Sequence, residues 1–147
     1  MRVGPAFLKQ PIFQGLMQDQ VASLLAIANE KAFEDRDCVL RINDQNKCLF
    51  VVLQGRVTVK TATGDTIATI GEGGVFGEIS IVDAQPASAS ILSDGKSYIG
   101  IIGQKELRTL LEGDHSLKGQ LMENLARILA ARLRAVNAHL IAGRLDD

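Results

Sequence analysis

Apolar positions along the chain change period twice. Leu16, Val21, Leu24, Leu25, Ile27 and Ala28 recur at roughly helical steps, the spacing of one helix face. This predicts a first helix over 14–32, with Asp19 as the N-cap of its main body. From 33 to 102 the pattern shifts to short apolar runs parted by turn residues. CLFVVL at 48–53 is a compact apolar strand, and Gln54-Gly55 after it signals a turn. Arg56 through Lys60 then alternates, with Val57 and Val59 on one face. Gly64-Asp65 separates that run from IATI at 67–70, which predicts a hairpin. SASIL at 88–92 and SYIGII within 97–102 read as further strands. Many short strands at regular spacing predict a small barrel or sandwich, not a parallel sheet.

Helical period returns from 105 to 140. A short helix over 105–111 ends at Gly113, and either Asp114 or Ser116 caps a second one over about 117–140. At ~1.5 Å per residue the second helix is ~35 Å long, more than a small domain needs. Leu117, Leu121, Leu125 and Ile128 form one apolar stripe along it. Met122, Ala126, Leu129, Leu133, Val136 and Leu140 form a second, in heptad rhythm. One stripe can cover the strands. The other needs a partner, and a second copy of the same helix is the simplest, so a homodimer through 117–140 is expected. One broad stripe buried within a single chain is the alternative.

Composition narrows the classes. A chain of 147 residues suits one domain, 1–147, with a real core. The 16 Lys and Arg nearly balance the 17 Asp and Glu, which removes any global charge argument for nucleic acid or an acidic membrane. No apolar run reaches the ~18 residues of a membrane span. The first residues lack the apolar core of a secretory signal, and Cys38 and Cys48 make neither a disulfide framework nor a metal spacing. Two reduced cysteines in a cytoplasmic protein is the expectation. No catalytic or metal-binding residues are assigned: His115 and His139 lie at opposite ends of the long helix, and HExxH and GK[ST] motifs are absent.

The stretch VFGEISIVDAQPASASI at 75–91 opens like a loop that holds a phosphate. Gly77 permits a tight turn, and the residues after Glu78 can start a short helix whose free N–H groups face an anion. Yet no Lys or Arg occurs between 75 and 91. Around this stretch stand PIF at 11–13, RIND at 41–44, LFVVLQGRVTV at 49–59 and IGEGGVFGEISI at 70–81. With the order helix, antiparallel strands, FGE loop and long helix, these resemble the cyclic nucleotide-binding domain family over about 8–140. Its members include the sensor domains of catabolite activator protein and of cyclic-nucleotide-gated channels and kinases. The resemblance implies an α+β fold: an antiparallel β-roll (a jelly-roll-like barrel) over 33–102, an N-terminal helix and a long C-terminal helix. Asn43 stands where the family usually has glycine, and Asn also tolerates a left-handed backbone.

The resemblance also implies roles in the ligand site. Gly77 matches the cassette glycine and Glu78 the acceptor for a ribose hydroxyl. Ile79 and Ser80 match residues that lend N–H groups to a cyclic phosphate. Ser88 matches the small residue that adds a hydrogen bond. Ala87 departs from the pattern, because the family carries there an Arg that forks the phosphate. Losing such a buried partner costs about 2–5 kcal/mol, on the order of thirty- to several-thousand-fold in affinity. A cation from elsewhere can fill the gap, with Arg41, Arg56, Lys60, Arg127, Arg132 and Arg134 as candidates. Otherwise the ligand is not a cyclic mononucleotide, or the pocket is empty and the fold serves as a dimeric interaction scaffold. The expected function is a non-catalytic regulatory module whose ligand class is a cyclic nucleotide or another small molecule, acting on an unknown protein partner. Only IAGRLDD follows Leu140, too short for a helix-turn-helix, so specific DNA binding is not expected.

Overall fold

The computed structural model describes residues 7–77 and 85–145, and in the last helix the side chains up to 138. Two 3-10 turns, Phe7–Lys9 and Pro11–Phe13, lead into α1, Gln18–Ala26. Strands β1 (Asn29–Phe33), β2 (Cys38–Leu40), β3 (Cys48–Gln54), β4 (Val57–Lys60), β5 (Thr66–Ile70) and β6 (Val75–Phe76) follow. After β7 (Ser90–Ser93) and β8 (Ser97–Gly103), the chain closes with α2 (Gln104–Glu112) and α3 (His115–Leu145).

The strands form two four-stranded antiparallel sheets, ordered β1-β8-β3-β6 and β2-β7-β4-β5. This is the expected antiparallel roll, built of two sheets and not closed into a barrel. β3 explains why its sequence is a solid apolar run. Leu49, Val51 and Leu53 point to a core shared with the helices, while Phe50 and Val52 point between the sheets. Both faces are therefore buried, and polar alternation has no place there. Gly55 takes φ +91° after β3, and Gly64 takes φ +86° in the β4–β5 hairpin.

The first helix is shorter than its apolar spacing predicts. The 14–32 reading fails at both ends. Gly15 has φ +73°, outside the helical region, and 29–33 is strand β1, paired along its length with β8. The sheet edge supplies backbone partners that an extended helix would forgo. Asp19 is not the N-cap; Met17 is. Asp19 instead sits in the first turn, where a carboxylate suits the helix dipole, and accepts from the Gln20 N–H at 3.0 Å.

Between the two last helices, Gly113 is the C-cap of α2. Asp114, rather than Ser116, caps α3: its Oδ1 accepts from the Leu117 N–H at 3.0 Å. At ~1.5 Å per residue the 31 residues of α3 extend for ~46 Å. Leu117, Leu121 and Leu125 are buried against the roll, with Ile128 packed beside them. Asn124 is buried in the same stretch. Its Nδ2 donates to the carbonyls of Ile12 and Gln14, each at 2.8 Å, and so fastens α3 to the N-terminal turns. Of the heptad stripe, Met122 and Leu133 are exposed away from the core-facing stripe, while Val136, also exposed, turns toward the roll.

Candidate ligand cavity between the roll and the last helix

Gly77 follows β6 directly and takes φ +78°, a conformation open to glycine. A Cβ there would stand 2.7 Å from Asn46 Nδ2, 2.8 Å from the Cys48 carbonyl and 2.9 Å from the Phe50 ring. Asn46 holds this corner. Its Nδ2 donates to the Cys48 carbonyl at 2.9 Å and to the Gly77 carbonyl at 3.2 Å, and its Oδ1 accepts from the Cys48 N–H at 3.0 Å. No sequence signal marked Asn46; a lone Asn in a polar loop reads as a turn residue.

Ala87 is placed by the turn at 41–44. Its N–H donates to the Asp44 carbonyl at 2.9 Å, and its carbonyl accepts from the Asn43 N–H at 2.8 Å. Asn43 has φ +73°, the left-handed backbone expected of it. Ala87 is buried and presents only a methyl group.

Gly77, Ala87 and Ser88 line one cavity of about 750 Å³. Its far wall is β4–β5, through Val59, Ile67 and Ile70, and Phe76 lies in its floor, stacked on Phe50 at 4.8 Å. Arg132, Ala135 and Val136 of α3 close the remaining side. Glu78, Ile79 and Ser80 lie outside the described residues. The structure thus brings three of the six expected site residues to one cavity, and adds a helix wall that spacing alone did not point to. The signal for that wall was faint: α3 continues beyond the last residue that its core-facing stripe requires.

The cation candidates separate. Arg41 and Arg134 are exposed. Arg56 pairs with Asp94 at 2.7 Å and Arg127 with Glu123 at 2.5 Å, both on the surface. Lys60 is half-buried but does not line the cavity. Arg132 is half-buried, lines the cavity, and donates through its guanidinium to the Val75 carbonyl, two residues before Gly77. It is the Lys or Arg that reaches this site among the described residues.

Such an arrangement leaves room for a small molecule between a β-roll and a helix. The sequence profile described as Cyclic nucleotide-binding domain matches residues 30–114, more than half of the chain. The chain belongs to the cyclic nucleotide-binding domain family. Over 88% of its length it is 30% identical to Glutaminase 1 of Bradyrhizobium diazoefficiens, but the match spans 21% of that enzyme. It is 29% identical to the Cyclic AMP receptor protein of Thermus thermophilus, across 88% of this chain and 60% of the receptor. The chain therefore spans about a fifth and three-fifths of these two relatives. The crystal structure of the Thermus thermophilus Catabolite Activator Protein superposes with a TM-score of 0.77 at 26% identity, over 90% of this chain and 62% of that one. A cyclic nucleotide-binding domain from Methylobacillus flagellatus reaches a TM-score of 0.84 at 24% identity, over 93% of this chain and 82% of that chain, a likeness of fold. No described helix is long and apolar enough to cross a membrane.

Proposed function

We propose that the chain is a non-catalytic regulatory module that senses a small ligand in this cavity, with low affinity for cyclic mononucleotides. The observation that carries the reading is the meeting of Gly77, Ala87 and Ser88 with Arg132, Ala135 and Val136 around one cavity. A ligand there touches the roll and α3 together, so its binding free energy favours one placement of the helix over others. A shift of α3 alters what its exposed stripe presents. Met122 and Leu133 fit a second copy of the chain, giving a homodimer whose geometry a protein partner reads.

The low affinity follows from Ala87. Where the family places a phosphate-binding Arg, this wall carries a methyl group. A dimeric scaffold that has lost nucleotide binding is the second reading, and the same residue favours it. Calorimetric titration with cyclic AMP and cyclic GMP, on the natural chain and on Ala87→Arg, separates them. The sensing reading expects Ala87→Arg to bind at least about thirtyfold more tightly, the low end of a restored charge-assisted pair. Heat from neither protein at millimolar nucleotide leaves the scaffold reading ahead. Tight binding by the natural chain would sink the claim of low affinity and point to Arg132.

A further inference from the structure

We infer that Asn46 is a positioning residue for the ligand site: its side-chain amide takes the ladder place beside Cys48, ends β6 at Phe76 and fixes where the chain leaves the sheet at Gly77. This rests on the sensing reading above and adds a residue that serves the same cavity without lining it.

The register of β3 with β6 sets Phe50 opposite Phe76 and Val51 opposite Val75. On the other side of that pair, the Val52 N–H donates to the Gly74 carbonyl at 2.9 Å. Bonds across an antiparallel pair recur at every second residue, so a longer β6 would next draw on the backbone of Cys48. That backbone is already taken. The Cys48 N–H donates to Asn46 Oδ1 at 3.0 Å, and the Cys48 carbonyl accepts from Asn46 Nδ2 at 2.9 Å. A side-chain amide carries the same donor and acceptor as a peptide group, so it closes a strand edge as a neighbouring strand would. β6 has only the two residues Val75–Phe76.

The same Nδ2 donates its second hydrogen to the Gly77 carbonyl at 3.2 Å. One hydrogen closes the edge of β3, and the other holds the first residue beyond β6. The fit is close, since a Cβ at Gly77 would stand 2.7 Å from that nitrogen. Asn46 is buried, so an unpaired group left in its place is costly. Its loop also holds Ala87. The Asn43 N–H donates to the Ala87 carbonyl at 2.8 Å, and the Asp44 carbonyl accepts from the Ala87 N–H at 2.9 Å. Those two bonds run from main chain to main chain and survive any change of side chain. The grip on Gly77 comes from one side chain among the described residues, Asn46. Without it, the bare N–H and carbonyl of Cys48 offer β6 another pairing, which draws Gly77 off the cavity wall.

The test starts from the Ala87→Arg chain, whose affinity for cyclic AMP the sensing reading raises, and adds Asn46→Ala or Asn46→Asp. Calorimetric titration with cyclic AMP gives the affinity of each folded protein, and urea unfolding gives its stability separately. Both substitutions should weaken binding by about tenfold or more. Asn46→Asp keeps an acceptor for the Cys48 N–H and loses only the donor, which keeps the test alive if Asn46→Ala misfolds. Gly77→Ala in the same background completes a double-mutant cycle. If Asn46 acts through Gly77, the two losses of affinity are less than additive. Stability that falls while affinity holds would make Asn46 a structural residue only and overturn the inference, leaving the sensing reading intact. Fully additive losses would overturn it as well. Absence of binding by Ala87→Arg itself would overturn the sensing reading and this inference together.

Discussion

Replacing Asn124 by Leu should loosen the long helix from the rest of the molecule. The side chain is 1% exposed, and its Nδ2 uses both hydrogens, on the carbonyls of Ile12 and Gln14 at 2.8 Å. Leucine has a similar volume and no donor, so the change removes bonds without opening much space. The bond to Ile12 is buried and that to Gln14 part-buried. The Gln14 carbonyl can turn to water, but the Ile12 carbonyl cannot. One stranded acceptor costs about 1–3 kcal/mol, and the added apolar burial of Leu returns a fraction of it. A net loss of about 1–2 kcal/mol is expected, which at a urea slope of about 2 kcal/mol/M lowers the midpoint by roughly 0.5–1 M. The assay is urea unfolding of both proteins, followed by circular dichroism, with the slope checked for equality. Amide exchange should also quicken in the N-terminal turns, because Asn124 ties them to α3. A stability change below about 0.5 kcal/mol, the scatter of ordinary surface substitutions, would refute the reasoning.

Three further outcomes follow from the same geometry. Gly77→Ala should lower the melting temperature, since a left-handed alanine costs about 1–2 kcal/mol before its Cβ meets the Cys48 carbonyl at 2.8 Å; an unchanged melting curve would count against the turn as described. Leu133→Glu, at a position 61% exposed, should leave the fold intact and shift the chain toward monomer in sedimentation velocity, whereas a monomeric parent across micromolar concentrations would end the homodimer proposal. Cys48 has its thiol pushed above its ordinary value near 9, by burial first and by the Glu106 carboxylate second. The folded state thus favours the neutral thiol, and that contribution is present below pH 9 and lost as pH rises through the raised value. Cys48→Ala should therefore lose less stability than the parent between pH 9 and pH 11, and parallel pH profiles would contradict this.

Legibility in the sequence varied with how local each cause is. The turn at Gly55 and the hairpin at Gly64-Asp65 were readable because glycine takes a positive φ at little cost, and the left-handed Asn43 was readable through the family resemblance. The core-facing stripe Leu117, Leu121 and Leu125 was readable because burial imposes its period. The end of the first helix was not. The residues from 29 to 33 have no feature that forbids helix, and β8 claimed them as an edge strand. Asn46 and Asn124 were silent for a similar reason. Besides local bonds to Cys48 and Gln120, their partners lie elsewhere in the chain, at Gly77 for Asn46 and at Ile12 and Gln14 for Asn124.

The site divides along the same line. Sequence by itself determined that the residues from 75 to 91 include Gly77 and no cation, because both facts are matters of residue identity. It also showed two apolar stripes on the last helix, one at 117, 121, 125 and 128 and one in heptad rhythm from 122 to 140. Which of six scattered cations approaches that loop was decided only by the tertiary structure. Arg132 is 57 residues from Val75 along the chain, and the meeting depends on the angle at which α3 crosses the roll. That angle is set by packing at Leu117, Leu121 and Leu125 and by the Asn124 tether, none of which touches the cavity. Contacts so distant in sequence leave no local periodicity, since the free energy that selects them comes from surfaces that exist only once the chain has folded.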